Sequence, residues 1–158
     1  GRARGPEYVH TVVSCYKEAI ASVLEGTFTE EKKDAWDERL ATVFNRGFWD
    51  GYYQGQTIGE WNKNYGSCAT EKKVLVGKVV KYFSKLGVAE VAVEASEFGV
   101  GDKLLVTGNA TGALWLTADE IRYDLKPVER ALQRQRVSIP VPEKVRPNDK
   151  LYRIDIQK

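Results

Sequence analysis

Apolar residues recur with helical period between Pro6 and Leu24, at Tyr8, Val9, Val12, Val13, Tyr16, Ile20, Val23 and Leu24. Pro6 suits a first helical turn and Gly26 supplies a stop, so the spacing predicts one amphipathic helix here. Thr27 and Glu30 have the spacing of a capping box, and Glu30 and Glu31 suit the positive end of a helix. Trp36, Leu40, Val43 and Phe44 then share one face, which predicts a second helix over residues 30–44. From Arg46 glycines arrive and the helical period ends. The polar, glycine-bearing stretch to Thr70 reads as a linker and a domain boundary.

Beyond Thr70 the period changes to two. "VAEVAVEA" sets Val88, Glu90, Ala92 and Glu94 opposite Ala89, Val91, Val93 and Ala95. "KLYRIDI" sets Tyr152, Ile154 and Ile156 opposite Leu151, Arg153 and Asp155. Such alternation means strands with one wet face. Similar runs at "KVLVGKVVKYF", "DKLLVTG", "ALWLTADEIRY" and "QRVSIPV" bring the expected number to about six, spaced as in a small closed barrel. The expected class is α+β: a helical segment over residues 1–70, then a roughly six-stranded β-barrel domain over residues 71–158.

An apolar fraction of 42% with 29% charged residues is that of an ordinary globular protein. No run of apolar residues is long enough to span a bilayer, and no charged-then-apolar leader opens the chain, so a cytoplasmic protein without a membrane partner is expected. Formal charge divides at the boundary, −2 up to Thr70 and +4 from Glu71 onward, which makes the barrel the better candidate for a polyanion. Cys15 and Cys68 lack a CxxC partner and His10 is the sole histidine, so cysteine and histidine alone cannot assemble a zinc or iron–sulfur ligand set. No metal and no cofactor are expected in this chain. The chain starts at Gly1 and contains no methionine, which suggests a piece of something longer.

Three stretches, "GRARGPEYVHTVVSCYKEAI", "RLATVFNRGFWDGYYQG" and the barrel opening "KKVLVGKVVKYF", together resemble the C-terminal part of the collagenase-like peptidase family, the U-32 peptidases. The first resembles the last helix of that family's catalytic region, and the second its asparagine-arginine-glycine-aromatic motif. The resemblance implies that a larger α/β-barrel domain precedes this chain and holds the catalytic residues, together with any metal ion or iron–sulfur cluster. No catalytic residue carries over. "VGDKLLVTG" also resembles the turn and strand of the small barrel that forms the second domain of translation elongation factors. Some relatives take part in hydroxylating RNA bases, so the resemblance leaves peptide and RNA open as partners.

Two groups of residues are candidates for binding. In "NRGFWDGYYQG", Phe48, Trp49, Tyr52 or Tyr53 could stack on a ring while Arg46 and Asp50 supply polar contacts. The alternative is a joint between helices and barrel, with Phe48 and one of Tyr52 or Tyr53 buried, Trp49 turned the other way, and Arg46 holding the turn. The second group is Arg130, Arg134, Arg136, Lys144 and Arg146, with Lys150 and Arg153 nearby, which could follow a phosphate backbone if they converged. Glu129, Glu143 and Asp149 are interleaved with them, as on a merely solvated face. Carboxylates show no fixed pairing, Ser67 beside Cys68 has no histidine nearby, and Asn109-Ala110-Thr111 reads as a turn rather than a glycosylation site. The expected role is a non-catalytic accessory region that positions substrate for, or covers, the active site of a peptidase. The alternative is an RNA-binding module of a base-hydroxylating enzyme.

Overall fold

Pro6 opens the first helix, as its fixed φ and missing N–H suit that position, and Gly26 ends it. The computed structural model describes residues 4–48, 55 and 66–157. Helix α1 spans Pro6–Leu24, and Gly26 follows at φ 68°, where the amides of Glu25 and Gly26 reach back to Ala21 and Val23. Helix α2 spans Glu30–Thr42, and its cap lies two residues after the expected one. Thr29 caps it, accepting from the Lys32 amide at 3.3 Å, while Thr27 instead hydrogen-bonds Ser22 across the turn between the helices. The helices are clamped by Glu18, which accepts from Arg39 at 3.1 Å and from the Trp36 indole at 3.0 Å. The Arg39 hydrogen bond, and after it that from Trp36, holds the Glu18 carboxyl below its ordinary pKa.

Among the described residues ten strands follow: β1 Glu71–Phe83, β2 Val88–Val93, β3 Phe98–Gly99, β4 Lys103–Gly108, β5 Gly112–Thr117, β6 Arg122–Tyr123, β7 Lys126–Pro127, β8 Arg130–Ala131, β9 Arg136–Pro140 and β10 Lys150–Ile156. The six long ones are the six that the alternation predicts. "ALWLTADEIRY" divides into β5 and the short β6, and the two-residue strands have no room for a period. All pairings are antiparallel, in the order β5-β4-β10-β1-β2-β9-β6-β7, with β3 and β8 forming a separate pair. The class is α+β, and the sheet is barrel-like without a ladder joining its edges β5 and β7, where the sequence pattern suggested closure. Strand β1 bends through two bulges, so its first half pairs with β10 and its second half with β2. Gly77 sits at one bulge, where a Cβ would lie 1.9 Å from the Ala92 carbonyl oxygen, so only glycine fits.

The core belongs to the strands. Val76, Val79, Val91, Val93, Phe98, Leu104, Val106, Ile121, Ile139 and Leu151 are all sealed within one cluster. Buried Asp149 plugs one end: its Oδ2 accepts from the Arg146 amide at 2.8 Å and from the Thr111 hydroxyl. This explains the "GNATG" turn, since Thr111 is needed there and a Cβ at Gly108 would collide with the Asp149 carboxylate.

Strand β4 is unusual in burying both faces. Leu104 and Val106 enter the core, whereas Leu105, only 1% exposed, lies outside that cluster. Ladder partners place Trp115, Leu105, Tyr152 and Leu75 in one row across the outer face of β5, β4, β10 and β1. Helix α1 meets this face: the His10 and Trp115 rings are 5.1 Å apart at 51°, and Glu7 is ion-paired with Lys73. Backbone bonds from Thr70 to Ala41 (3.0 Å) and from Gln157 to Thr70 (2.7 Å) tie the exit of α2 to the start of β1 and the end of β10. No described helix is long and apolar enough to cross a membrane.

Because every residue of the core cluster lies between Val76 and Leu151, on the strands and the loops that join them, residues 71–158 expressed alone are expected to melt in a single cooperative transition. A broad, non-cooperative melt by circular dichroism would show that the helices belong to the same folding unit.

Candidate functional site

The aromatic–glycine run begins at the end of α2, where Asn45 turns the chain. Its side-chain amide donates to the Val43 carbonyl at 2.9 Å and its Oδ1 accepts from the Gly47 amide at 3.0 Å. Its backbone carbonyl also accepts from the Cys68 amide at 2.7 Å. The turn-holding role expected of Arg46 is thus filled at least in part by Asn45. Arg46 and Phe48 lie at the surface, and Phe48 is 60% exposed, contrary to the expectation that it is buried. The reason is local: the apolar surface at the helix exit is covered by Phe44, half-buried beneath the Arg4 guanidinium, 3.4 Å from its ring centre. Phe48 borders a groove lined also by Tyr16 and Leu40. Trp49, Asp50, Tyr52 and Tyr53 lie outside the described residues.

The basic group is spread over several segments. Arg130 sits on β8, Arg134 in a turn at φ 71°, Arg136 on β9, and Lys144 and Arg146 on the connection to β10. Arg130 is ion-paired with Glu97 at 3.0 Å and Arg136 with Glu90 at 3.8 Å. Arg153 donates to the Glu97 carbonyl and pairs with Asp155, whose carboxyl it holds below the ordinary range. These partners reduce the positive field that a phosphate backbone would meet.

The residues form another site that no local motif announces. A cleft of about 740 Å³ opens between the first turns of α1, the exit of α2 and the outer face of the sheet. Leu105, Trp115 and Ile154 form its floor, and Lys73 and Lys103 stand in its walls. Lys103 reaches from β4 across β10 to Glu71 on β1, with its Nζ 2.8 Å from the carboxylate. Glu7, ion-paired to Lys73, has its second oxygen buried with no hydrogen-bond partner among the described residues. A Cβ at Gly5 would lie 2.1 Å from that oxygen, so the absence of a side chain there lets the arm before α1 close over Glu7.

Sequence reasoning missed this cleft because its parts come from six segments, far apart in the chain. The available signal was the apolar residue on the wet side of each strand, Leu105, Trp115 and Tyr152, which marks a covered outer face. Among the described residues, no group of three or more His, Cys, Asp or Glu side chains could hold a metal ion. Cys15 and Cys68 are both free, and burial pushes the Cys15 thiol above its ordinary pKa against the pull of Arg39.

Residues 1–63 match the model of peptidase family U32. A Porphyromonas gingivalis protein named collagenase is 61% identical over 155 residues, covering 98% of this chain and 37% of that protein. The chain is thus similar to the U32 family. A protein of Methanocaldococcus jannaschii named as an uncharacterized protease is 30% identical over 159 residues, 96% of this chain and 38% of its own length. Among solved structures, the C-terminal domain of a Geobacillus thermoleovorans protein named as a U32 peptidase aligns at 20% identity with a TM-score of 0.48, covering 50% of this chain and 90% of that one. The chain therefore spans well under half the length of the curated relatives it matches.

Because Phe48 is largely solvent-exposed, Phe48→Ala is expected to change the stability of the chain by no more than about 0.5 kcal/mol. Chemical denaturation checks this, and a loss of several kcal/mol would restore the buried-joint reading.

Proposed function

We propose that this chain is the accessory region of a U32-family peptidase, positioning substrate at or covering an active site that lies elsewhere in the longer protein. It does no chemistry by itself. The observation that carries this reading is the outer face of α1. Val9, Val13, Tyr16, Ile20, Val23 and Leu24 follow the helical period and are 44–82% exposed. Such a contiguous apolar stripe is rarely left open on a monomeric protein and marks a surface that another body covers. The relatives supply the candidate: the 61%-identical collagenase has most of its length outside the matched region. Packing α1 against that remainder would bring the barrel and the cleft beside it as one unit.

An RNA-binding role draws less support, since Arg130 and Arg136 already face Glu97 and Glu90. An upstream metal or cluster is the part of the proposal that rests on the family resemblance.

The test is Val13→Asp together with Ile20→Asp, made both in residues 1–158 and in the full-length protein. The short chain is expected to keep its melting temperature, because both side chains are exposed, while gelatin cleavage by the full-length protein falls at least about tenfold. Full activity in the double variant would overturn the reading, as would gelatin cleavage by residues 1–158 that disappears on mutation within them.

A further inference from the structure

We propose that the cleft between α1 and the outer face of the sheet binds the carboxylate end of a peptide. The inference rests on the peptidase reading and names the ligand chemistry of the cleft. A volume of about 740 Å³ lies within the range of pockets that enclose small ligands, and holds a few residues rather than a long chain. Its floor of Leu105, Trp115 and Ile154 is apolar, with Trp115 half-buried, so an apolar or aromatic side chain can lie against it.

The walls favour an anion. Arg4, Lys73 and Lys103 outnumber the two lining carboxylates, Glu7 and Glu71; Arg39 is committed to Glu18, and Lys72 lies on the other face of β1, in register with Asp155. An ammonium has three donors. Lys103 gives one to Glu71 and Lys73 one to Glu7, which leaves both able to donate to a ligand oxygen.

Two features select a peptide terminus over a phosphate. The successive charges of a polyanion would run against Glu7 and Glu71, whereas a single carboxylate avoids them. The buried Glu7 oxygen also lacks a donor among the described residues, and an acceptor left so costs free energy. A peptide carries an amide N–H beside its terminal carboxylate, so one ligand can serve the lysines and Glu7 together once the arm at Arg4 and Gly5 moves aside. A phosphate monoester dianion brings no such donor.

The experiment titrates residues 1–158 with an N-acetylated tripeptide ending in phenylalanine, as the free acid and as the C-terminal amide. Binding is followed by the indole N–H resonance of Trp115, assigned with Trp115→Phe. The acid is expected to give a saturable shift, with the amide at least about tenfold weaker. Lys103→Gln, a change at an exposed side chain, is expected to remove most of that preference while leaving the melting temperature unchanged. Equal affinity for acid and amide, no saturable shift with the acid, or tighter binding of adenosine monophosphate would overturn the assignment. Its failure is separable from failure of the accessory role. If the peptide does not bind while Val13→Asp with Ile20→Asp abolishes gelatin cleavage, the cleft assignment alone falls. If the peptide binds and that double variant stays fully active, the cleft stands and the accessory role falls.

Discussion

Leu105 is buried on the side of the sheet that a small barrel leaves to water, and the organisation of the chain turns on that burial. A leucine removed from water contributes roughly 1.5–3 kcal/mol, which is appreciable beside the few kcal/mol that separate folded from unfolded domains of this size. Its row neighbours Trp115 and Tyr152 flank it, and α1 comes down on the same face through His10 and Glu7. The outer row thus seats the helices, and the cleft is the space that the seating leaves beside it.

Seating α1 in this way fixes what its other surfaces do. Cys15 and Ser22 are buried, and Glu18 clamps α2 through Arg39 and Trp36. The stripe from Val9 to Leu24 is left facing outward, and two apolar surfaces on one helix need two partners. The sheet and α2 supply one, and under the proposed accessory role the other is covered by the rest of a longer protein. Backbone bonds at Cys68 and Thr70 return the chain to the exit of α2 before β1 begins, so the barrel's position relative to α1 is set by short connections at both ends of the joint.

Periodic elements were legible in the sequence, and contacts between distant elements were not. The alternation in "VAEVAV" matches the observed burial of Ala89, Val91 and Val93, and Gly26 ends α1 as its freedom at positive φ allows. The α2 cap was misplaced because Thr27 and Thr29 offer the same hydroxyl, and the Ser22 side chain that captures Thr27 belongs to the preceding helix. Phe48 was expected inside because an aromatic next to a helix end usually finds cover, but Asn45 turns the chain and Phe44 takes that place. The cleft was invisible for the same reason as the short strands. Glu7, His10, Lys73, Lys103 and Trp115 meet only through tertiary packing, and none carries a local signature.

The most direct measurement compares Leu105→Ala in residues 1–158 and in residues 71–158 by chemical denaturation. If α1 covers the outer row, the substitution costs about 2–5 kcal/mol in the longer chain, as for a buried leucine, and less than about 1 kcal/mol in the shorter one, where the same face is open to water. An equal loss in both would contradict the account, because Leu105 would then be buried by the barrel alone.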